Sequence, residues 1–509
     1  MNESWPTSGF EKESGAEAEP GAGRGTGRGA GAGEAWAAGV DLHLDLAAGG
    51  GAYGRRAALE RALREAVRAG RLGPGSRLPS SRRLAAETGL SRGTVKAAYD
   101  QLTAEGYLTA RQGSGTVVAG RPQGPRDAPP GRSAAAPRPR HDLRPGSPDV
   151  TAFPTAAWLR ATRRALAAAP STGYDYGDPR GAAELRTALA GYLGRTRGVA
   201  ADPERIVVVS GYVQGLALLT RVLGAVDGRA GGPAVGMEDP GLPFHREVVR
   251  RSGGRVVPLP VDASGARLPD GADALDAVVV TPAHQYPTGV PLHPDRRHAL
   301  TAWARRTGGL VVEDDYDGEF RFDRQPVGAV QGTAPEQVVY LGTASKTLGP
   351  ALRLGWMVLP AHLVETVAQA KLYSDYHTGT VGQLALADMI TGHSYDRHVR
   401  AARLRYRRRR DLLVARLAGG AAGGVRGGIE VRGVAAGLHA LVGLPPQGPG
   451  EAEVLRAAAA QGLAVGALGE HWHTPEVPGR PQGLVVGYGT PGEGGYPAAL
   501  DALARALRV

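Results

Sequence analysis

The 509-residue chain contains no cysteine. Disulfides, thiolate metal sites and cysteine nucleophiles are therefore excluded, which fits a reducing compartment. No uninterrupted apolar run reaches the length of a transmembrane helix. The first residues include Glu3, Glu11 and Glu13 and lack the apolar segment of a signal peptide. These absences predict a cytoplasmic protein with no membrane partner.

The composition changes along the chain, whose length suits two or three domains. Residues 1–39 are rich in Gly, Ala and Glu and predict a disordered extension. Residues 40–119 indicate a compact helical module with a short hairpin, and residues 120–141 a Pro/Arg linker. From 142 to 509, runs rich in Val, Leu and Ile alternate with helical patterns. That alternation predicts an α/β domain around a mostly parallel sheet.

The net charge of +11 is unevenly distributed. Residues 1–54 carry −5, residues 55–119 carry +7 and residues 120–144 carry +4, which leaves +5 for the remaining chain. A phosphate backbone attracts a positive region of this kind. A solvated arginine-rich surface would give the same count, so charge alone leaves both interpretations open.

Residues 40–119 predict three helices and a hairpin. Apolar residues recur every four positions from Leu59 to Val67, which indicates one helix. "SSRRLAAETG" and "SRGTVKAAYDQLTAEG" indicate two more, the first capped by Ser80 or Ser81 and the second by Ser91. Two short helices joined by a tight glycine turn form a helix-turn-helix. "YLTARQGSGTVVA" is typical of a hairpin and predicts a wing.

The third predicted helix begins with the polar residues at which a recognition helix meets base edges. Arg92 can donate to O6 and N7 of guanine together. Arg82 and Arg83 begin the preceding helix, near where a backbone phosphate would lie. The predicted DNA-binding residues are Arg82, Arg83, Ser91, Arg92, Thr94, Lys96 and Gly113. A small three-helix protein-binding module is the alternative. The stretch from "GRLGPGSRLPSS" to "RQGSGTVV" resembles the winged helix-turn-helix of the GntR family along its whole length.

Lys346 is one amine in the apolar stretch "YLGTASKTLGPALRLGW", at the end of a predicted strand. Apolar surroundings disfavour the charged form of a lysine. A neutral amine can form a Schiff base with an aldehyde. A lone lysine is more often a surface charge. The residues around Lys346 must therefore decide between a surface charge and a Schiff-base lysine.

Three other predicted strand ends supply that context. After "RIVVV", backbone N–H groups near Gly211, Tyr212 and Val213 suit a phosphate at a helix start. After "GGLVV", Asp314 suits a protonated pyridine nitrogen and Tyr316 a phenolic oxygen. "AVVVTPAHQYPTG" adds a polar turn. Ligands of open α/β sheets bind beyond the strand carboxyl ends. Partners for phosphate, pyridinium, phenol and aldehyde together describe pyridoxal 5′-phosphate (PLP).

Residues 142–509 resemble the fold-type I aminotransferases, which are PLP-dependent transferases. The resemblance implies that Lys346 holds PLP, Asp314 partners the pyridine nitrogen and Tyr316 bonds the ring oxygen. Tyr176 matches the family tyrosine that reaches the phosphate of the neighbouring subunit, which implies a homodimer. Tyr286 stands where the family has Asn, and we keep it among the cofactor contacts. The implied phosphate cup adds three residues: Thr343, Ser345 and Arg353.

Three positions depart from the aminotransferase pattern. Leu242 stands where an aromatic residue usually stacks on PLP, and Phe244 or His245 is the candidate substitute. Val485 occupies the aligned position of the arginine that grips the substrate carboxylate, and Arg480 lies in the preceding loop. The third is Tyr286. These departures argue against transamination of α-amino acids and leave PLP binding intact.

The order of winged helix, linker and aminotransferase-like domain resembles the MocR family of bacterial regulators, including its PdxR-like members. The resemblance implies a regulator that binds operator DNA as a homodimer and senses PLP or an amine or amino-acid effector. A working aminotransferase with a fused DNA-binding domain is the alternative. A domain that has lost PLP is a third possibility, against which the intact Lys346 and Asp314 argue.

Other motifs carry less weight. The basic run at 403–413 is predicted to be the solvated face of a long helix, although a nucleic-acid patch is the other interpretation. His471 and His473 have metal-like spacing but no third ligand in sequence, so we predict loop residues and no metal. "GLHALVGL" predicts a core strand with one polar residue.

Overall fold

The computed structural model describes residues 52–111, 115–119, 139–227, 231–322, 327–419, 429–474, 477 and 479–508. The chain divides into two compact units after Ala136, and each unit is considered by itself. The predicted extension, most of the predicted linker and Gly113 lie outside the described residues. Within the described ranges, no helix is long and apolar enough to span a membrane.

The N-terminal unit is a three-helix domain closed by a hairpin. Its elements are α1 (Ala52–Arg68), α2 (Ser81–Thr88), α3 (Arg92–Ala104), β1 (Leu108–Arg111) and β2 (Gly115–Val118). The two strands are antiparallel, with Leu108 opposite Val118. Both residues pack with the apolar faces of the three helices in one cluster. This is the predicted winged helix-turn-helix.

Local capping fixes the turn between α2 and α3. The Ser80 side chain accepts from the Arg83 N–H at 3.3 Å, which selects Ser80 over Ser81 as the cap. Gly89 ends α2 with φ 65°, a conformation that favours glycine. Ser91 starts α3 by accepting from the Thr94 N–H at 3.1 Å. The sequence therefore determines this turn through short-range hydrogen bonds.

The C-terminal unit alternates strands and helices before ending in a smaller α+β region. Its elements are β3 (His141–Asp142), α4 (Thr155–Ala168), α5 (Ala183–Arg197), β4 (Ile206–Val209), α6 (Tyr212–Asp227), β5 (Ala234–Asp239), α7 (Pro243–Arg251), β6 (Arg255–Asp262), β7 (Gly265–Ala266), β8 (Ala277–Val280), α8 (Pro294–Thr307), β9 (Leu310–Asp315), β10 (Val338–Thr343), β11 (Gly355–Val358), α9 (Val364–Asp375), α10 (Thr380–Thr391), α11 (Ser394–Gly419), β12 (Glu430–Arg432), β13 (His439–Gly443), α12 (Glu451–Ala460), β14 (Leu463–Ala464), β15 (Gly466–Ala467), β16 (Gly483–Gly487) and α13 (Tyr496–Leu507).

The large sheet has the order β4-β11-β10-β9-β8-β5-β6-β7. The pairs β10–β9, β9–β8, β8–β5 and β5–β6 are parallel, whereas β11 runs antiparallel to both of its neighbours. The prediction of a mostly parallel sheet is confirmed. Because parallel strands end at one edge, the residues after β5, β8, β9 and β10 are brought together there.

Helices cover both faces of this sheet. Ile206 and Val208 of β4 pack with α5 and α10, whereas Val207 and Val209 pack with α6 and α9. This burial on both faces explains why the strands are continuous apolar runs. A second, antiparallel sheet has the order β12-β13-β16-β15 and packs with α11, α12 and α13. The helix α11 contains the basic run at 403–413, as predicted, but Arg409 of this run is buried and not solvated.

Candidate cofactor and DNA-binding sites

A cavity of about 390 Å³ lies at the carboxyl ends of the parallel strands. Nine of the eleven residues predicted to contact the cofactor line it: Tyr212, Val213, Tyr286, Asp314, Tyr316, Thr343, Ser345, Lys346 and Arg353. Gly211 lies directly behind Arg353. Tyr176 is 77% exposed and lies outside the cavity. Residues scattered over 142 positions of sequence, from 212 to 353, therefore line one cavity.

Lys346 follows β10 and projects its amine into the cavity. Nζ donates to the Gly146 carbonyl oxygen at 2.5 Å. Burial lowers the pKa of this amine, and the charges of Asp314 and Asp317 oppose the shift. A larger share of the amine is therefore neutral near physiological pH than for a solvated lysine, as a nucleophile requires.

Asp314 is the buried acid of the cavity. It lies at the end of β9 and is 5% exposed. Burial raises its pKa well above the ordinary value, and the neighbouring charges of Asp315 and Glu238 raise it further, whereas Lys346 opposes them. A cation placed against this carboxyl would relieve that repulsion. A protonated pyridine nitrogen is such a cation.

Glu238 is a second buried acid in the same wall. Its carboxylate accepts from the Thr281 N–H at 3.1 Å, the Thr281 hydroxyl at 2.6 Å and the Gln285 amide at 3.1 Å. Burial nevertheless raises the pKa of Glu238 to about 7, and these hydrogen bonds oppose the shift. The turn after β8 is thereby tied to the end of β5.

The other end of the cavity is suited to an anion. Gly211 has φ 117°, and a Cβ there would lie 3.4 Å from both terminal nitrogens of the Arg353 guanidinium. The helix α6 begins at the next residue, so its free N–H groups face the same region. The Thr343 hydroxyl donates to the Ser345 hydroxyl at 2.9 Å and accepts from the Ser345 N–H at 3.1 Å. One guanidinium, two hydroxyls and a helix N-terminus therefore converge.

The structure distinguishes the candidates for the stacking residue. Phe244 is 60% exposed and does not line the cavity, whereas His245 does. The His245 ring lies 4.4 Å from that of Tyr212, centroid to centroid. Burial lowers the pKa of His245 to about 3, with the nearby Lys346 charge adding to the effect. A neutral imidazole is thus the flat ring that this wall offers beside Leu242.

The expected position of a carboxylate-binding arginine is apolar. Val485 lies in β16, is fully buried and packs with Leu441, Leu468 and Tyr286. Arg480 precedes this strand, as predicted, but its guanidinium stacks 4.5 Å above the Trp472 ring and does not line the cavity. Neither residue offers the cavity an anion-binding group.

Sequence reasoning underrated two histidines near Tyr286. His439, interpreted as a polar residue of a core strand, lines the cavity, and its buried Nε2 makes no hydrogen bond to any described residue. The prediction of a loop position for His471 was wrong. It ends a 3₁₀ turn (Leu468–His471), is 5% exposed and bonds the Tyr286 hydroxyl at 3.1 Å. His473 bonds other groups, so the two histidines do not act as a pair.

A buried network surrounds Tyr316. Its hydroxyl donates to the His284 carbonyl oxygen at 2.9 Å, and Nδ1 of His284 lies 2.9 Å from an Asp317 carboxylate oxygen. His284, Asp317 and His439 offer possible metal-ligand atoms within 4.8 Å of one another. Since the first two already bond each other, the arrangement is a hydrogen-bonded support for Tyr316.

An aromatic patch lies outside the cavity. Tyr176 packs on Tyr376 with their ring centroids 4.6 Å apart. These two rings are 77% and 45% exposed, and the nearby residues Tyr174 and Tyr373 are 60% and 87% exposed. Exposed aromatic patches of this kind are typical of interaction surfaces.

In the N-terminal unit, the predicted DNA-binding residues lie on two helix starts. Arg92 and Lys96 are exposed on α3. The Ser91 and Thr94 hydroxyls lie 2.8 Å apart and cap the helix. On α2, Arg82 and Arg83 are exposed, and Arg83 pairs with Glu87 at 2.7 Å. The backbone of Arg77, which sequence reasoning missed, pairs with Val117 of the wing.

Two protein families match the two units. Residues 55–118 match the bacterial regulatory proteins of the gntR family, and residues 145–474 match aminotransferase class I and II. The HTH-type pyridoxine biosynthesis transcriptional regulator PdxR of Corynebacterium glutamicum is 34% identical over 435 residues, which cover 84% of this chain and 90% of that protein.

The chain belongs to the MocR-type transcriptional regulators.

Another relative of this MocR-type regulator is the probable rhizopine catabolism regulatory protein MocR of Rhizobium meliloti. It is 36% identical over 374 residues, which cover 69% of this chain and 75% of that protein. The crystal structure of Pyrococcus horikoshii kynurenine aminotransferase, solved with PMP, has a TM-score of 0.64 at 24% identity and covers 72% of this chain and 90% of that one. That likeness establishes the fold of the C-terminal unit.

Proposed function

We propose that this MocR-type regulator holds PLP at Lys346, binds operator DNA as a homodimer and changes its DNA affinity when PLP or a small amine or amino acid occupies the cavity. The observation that carries the proposal is the convergence of nine predicted residues on one cavity. The same chain carries a winged helix with exposed arginines at two helix starts.

Different cavity residues are assigned to different parts of the cofactor. Arg353, Ser345 and the N-terminus of α6 would hold the phosphate. Asp314 would partner the pyridine nitrogen, and Lys346 would supply the amine for the aldehyde. PLP supplies an aldehyde that exchanges reversibly between amines, which suits a sensor of amines. Tyr316 and Tyr286 would border the ring, and His245 would be the residue to stack on it.

We expect slow transamination of amino acids by a domain that serves this regulatory role. A transaminase must orient the Cα–H bond of its substrate, and a bidentate arginine commonly provides that orientation. Val485 cannot replace such an arginine, and Leu242 offers no aromatic ring. The alternative function, an active aminotransferase fused to a DNA-binding domain, would require another group to orient the substrate.

The homodimer rests on the exposed aromatic patch. Tyr174, Tyr176, Tyr373 and Tyr376 present rings to solvent. We propose that a second copy of the chain covers them and that Tyr176 then reaches the partner's phosphate-binding residues. Dimerisation also suits operators with two half-sites.

Reduction of the PLP-loaded protein with borohydride tests the cofactor assignment. The cofactor's mass should appear on the peptide that contains Lys346, and Lys346→Ala should lose it. The control is Lys371→Ala, because Lys371 is buried but pairs with Asp375 outside the cavity. Label on other lysines with Lys346 unmodified would contradict the assignment.

Operator titrations test the sensor. PLP, alone or with an amine, should change operator affinity by about 5–150-fold, the usual range of coupling between sites. Rapid multiple turnover with an ordinary amino acid, together with operator binding that ignores PLP, would favour the enzyme instead.

A further inference from the structure

A second cavity lies away from the carboxyl ends of the parallel strands. It has a volume of about 590 Å³ between the end of α5, the segment after β9 and the first half of α11, and it shares no lining residue with the cavity that contains Lys346. Small-molecule sites typically have volumes of about 300–1,000 Å³. The lining combines arginines with fewer acids: Arg195, Arg197, Arg321, Arg400, Arg403, Glu319 and Asp396.

Glu319 is a buried acid in the wall of this second cavity. It is 7% exposed, and within the described part of the chain its carboxylate forms no ion pair and accepts no hydrogen bond from another residue. Burial raises the pKa of Glu319 to about 7. The charge of Asp315 adds to this shift, and the charge of Arg197 opposes it. The carboxyl therefore has two oxygens that can accept hydrogen bonds from a ligand.

Two other buried glutamates show what Glu319 lacks. The Glu313 carboxylate accepts from two backbone N–H groups, both at 3.0 Å, and the Glu238 carboxylate has the three donors described above. Arg197 cannot serve Glu319 in the same way, because it already makes two hydrogen bonds to Asp315, at 2.6 and 3.0 Å. Since buried polar groups are normally hydrogen-bonded, Glu319 is the acid in this wall that a ligand can satisfy.

Arg400 and Arg403 supply positive charge to the same cavity. They lie three residues apart on α11 and therefore share a face of the helix. Nε of Arg403 donates to the backbone carbonyl oxygen of Glu319 at 2.9 Å, and Nε of Arg400 donates to that of Asp396 at 3.3 Å. These bonds orient the guanidiniums, whose terminal nitrogens bond no described residue. Such pairs of N–H groups match the oxygens of a phosphate.

The two kinds of group together restrict the ligand. The Glu319 carboxylate would repel a plain anion, and the arginines would repel a plain cation. An amino acid carries both charges but is too small to fill about 590 Å³. A ligand that fits has N–H donors at one end and negative charge at the other.

We propose that the second cavity binds a guanine nucleotide, with the base donating to Glu319 and the phosphates accepting from Arg400 and Arg403. Guanine presents two adjacent donors on one edge, N1–H and the 2-amino group, which match the two oxygens of a carboxylate. This site does not depend on PLP binding at Lys346, so it can fail or hold independently of the proposed function.

Isothermal titration calorimetry of the full-length protein with three matched probes tests the site. GDP carries every feature of the proposed ligand, IDP lacks only the 2-amino group, and guanosine lacks the phosphates. Because GDP and IDP carry the same phosphates, their contacts with arginines elsewhere on the protein cancel in the comparison. The parent is titrated beside Glu319→Gln, Arg400→Gln and Arg403→Gln at one fixed salt concentration.

Two further variants are controls. Arg397→Gln is the matched control on α11, because Arg397 is exposed on that helix and does not line the second cavity. Arg353→Gln identifies any binding of nucleotide phosphates in the cavity that contains Lys346.

We expect the parent, Arg397→Gln and Arg353→Gln to bind GDP about 10-fold or more tightly than IDP, as one hydrogen bond to a charged group implies. Glu319→Gln should lose most of this preference. Arg400→Gln and Arg403→Gln should weaken GDP and IDP alike, by about 10-fold, and leave the binding of guanosine unchanged.

Several results would overturn the proposal. One is a parent that does not bind GDP or binds GDP and IDP equally, and another is a preference that survives in Glu319→Gln. GDP binding that is lost in Arg353→Gln but kept in Arg400→Gln would place the nucleotide in the other cavity. If circular dichroism shows that Glu319→Gln does not fold, Glu319→Asp decides, because it keeps the charge and withdraws the carboxylate by one methylene. A reduced preference for GDP then supports the site, and an unchanged preference overturns it.

Discussion

Arg92 stands exposed at the first turn of α3, whereas Arg197 of the C-terminal unit is almost fully buried against Asp315. The difference reflects the partners that each unit is suited to. The phosphates of a nucleic acid would supply the negative charge that such an arginine pairs with, so the arginine remains solvated until the nucleic acid binds. Arg197 instead meets a counterion fixed within the protein, and water is largely excluded from the pair. Under the proposed function, the same type of side chain would serve recognition in one unit and stability in the other.

The largest expected effect is on stability, at Arg197. Arg197→Met should lower the free energy of unfolding of the C-terminal unit by about 3–5 kcal/mol, because it leaves Asp315 buried without a counterion. Arg195→Met is the control, since Arg195 is 53% exposed and pairs with Asp396 at the surface. That change should cost about 1 kcal/mol or less. Denaturant unfolding is followed by tryptophan fluorescence, because Trp303 and Trp356 are buried here. Equal losses would contradict the comparison.

The next effect is on DNA binding, at Arg92. Arg92→Ala should weaken binding to the operator by about 1–3 kcal/mol if the side chain reads a guanine. Arg61→Ala removes the same charge from the exposed face of α1 and should weaken specific and random duplexes alike. Binding is measured by fluorescence anisotropy at fixed salt. If Arg92→Ala bound both duplexes as the parent does, α3 would not be the recognition helix.

A smaller effect concerns pH. Because the pKa of His245 is about 3 in the folded protein and 6.5 unfolded, the unfolded chain takes up the proton first as the pH falls. This histidine's contribution to stability is complete above pH 6.5 and declines as the pH falls toward 3. As the pH falls from 7.5 to 5.5, protonation of His245 in the unfolded chain should lower the free energy of unfolding by about 1.4 kcal/mol.

His245→Phe should lack that share of the pH dependence, so the difference in stability between parent and variant should itself change with pH. The buried carboxyls are common to both proteins and cancel in this difference. His362→Gln removes an exposed histidine and serves as the control. Urea unfolding of the cofactor-free proteins at both pH values is the measurement. Parallel curves for the parent and His245→Phe would refute the burial of His245 as described.

The smallest effect is local. Ser91→Ala removes the cap of α3 and should cost the N-terminal unit about 1 kcal/mol, whereas Ser91→Gly should cost only a few tenths. Ser81→Ala is the control, because Ser80 caps α2. Hydrogen exchange of the α3 peptides, read by mass spectrometry, compares the variants. Identical protection in all of them would show that the cap does not stabilise this helix.

Sequence patterns predicted what depends on near neighbours. Ser91 caps α3 through a residue three positions away, and Gly89 ends α2 by its own backbone conformation. Strand ends followed from apolar runs, which explains why Lys346 and Asp314 could be placed on a common edge. The choice between Ser80 and Ser81 needed the actual hydrogen bond.

Patterns could not predict contacts between distant segments. Arg246 meets the carbonyl oxygen of His471, which lies 225 residues away. His439 resembles any polar residue in an apolar strand until β13 is seen to border the cavity. Phe244 and His245 are adjacent, and only the phase of α7 turns one outward and the other inward. Such roles depend on how separate elements pack, which neither periodicity nor spacing records.

Protonation of Glu238 should respond to the charge of a ligand that binds in the cavity. With a pKa of about 7, this buried carboxyl is close to half protonated at neutral pH. A ligand that adds positive charge beside it drives a proton into the solvent, and one that adds negative charge draws a proton in. Calorimetry in two buffers of different ionisation enthalpy counts those protons. The direction of proton flow therefore gives the sign of the charge that an effector brings to this wall, before the effector has been identified.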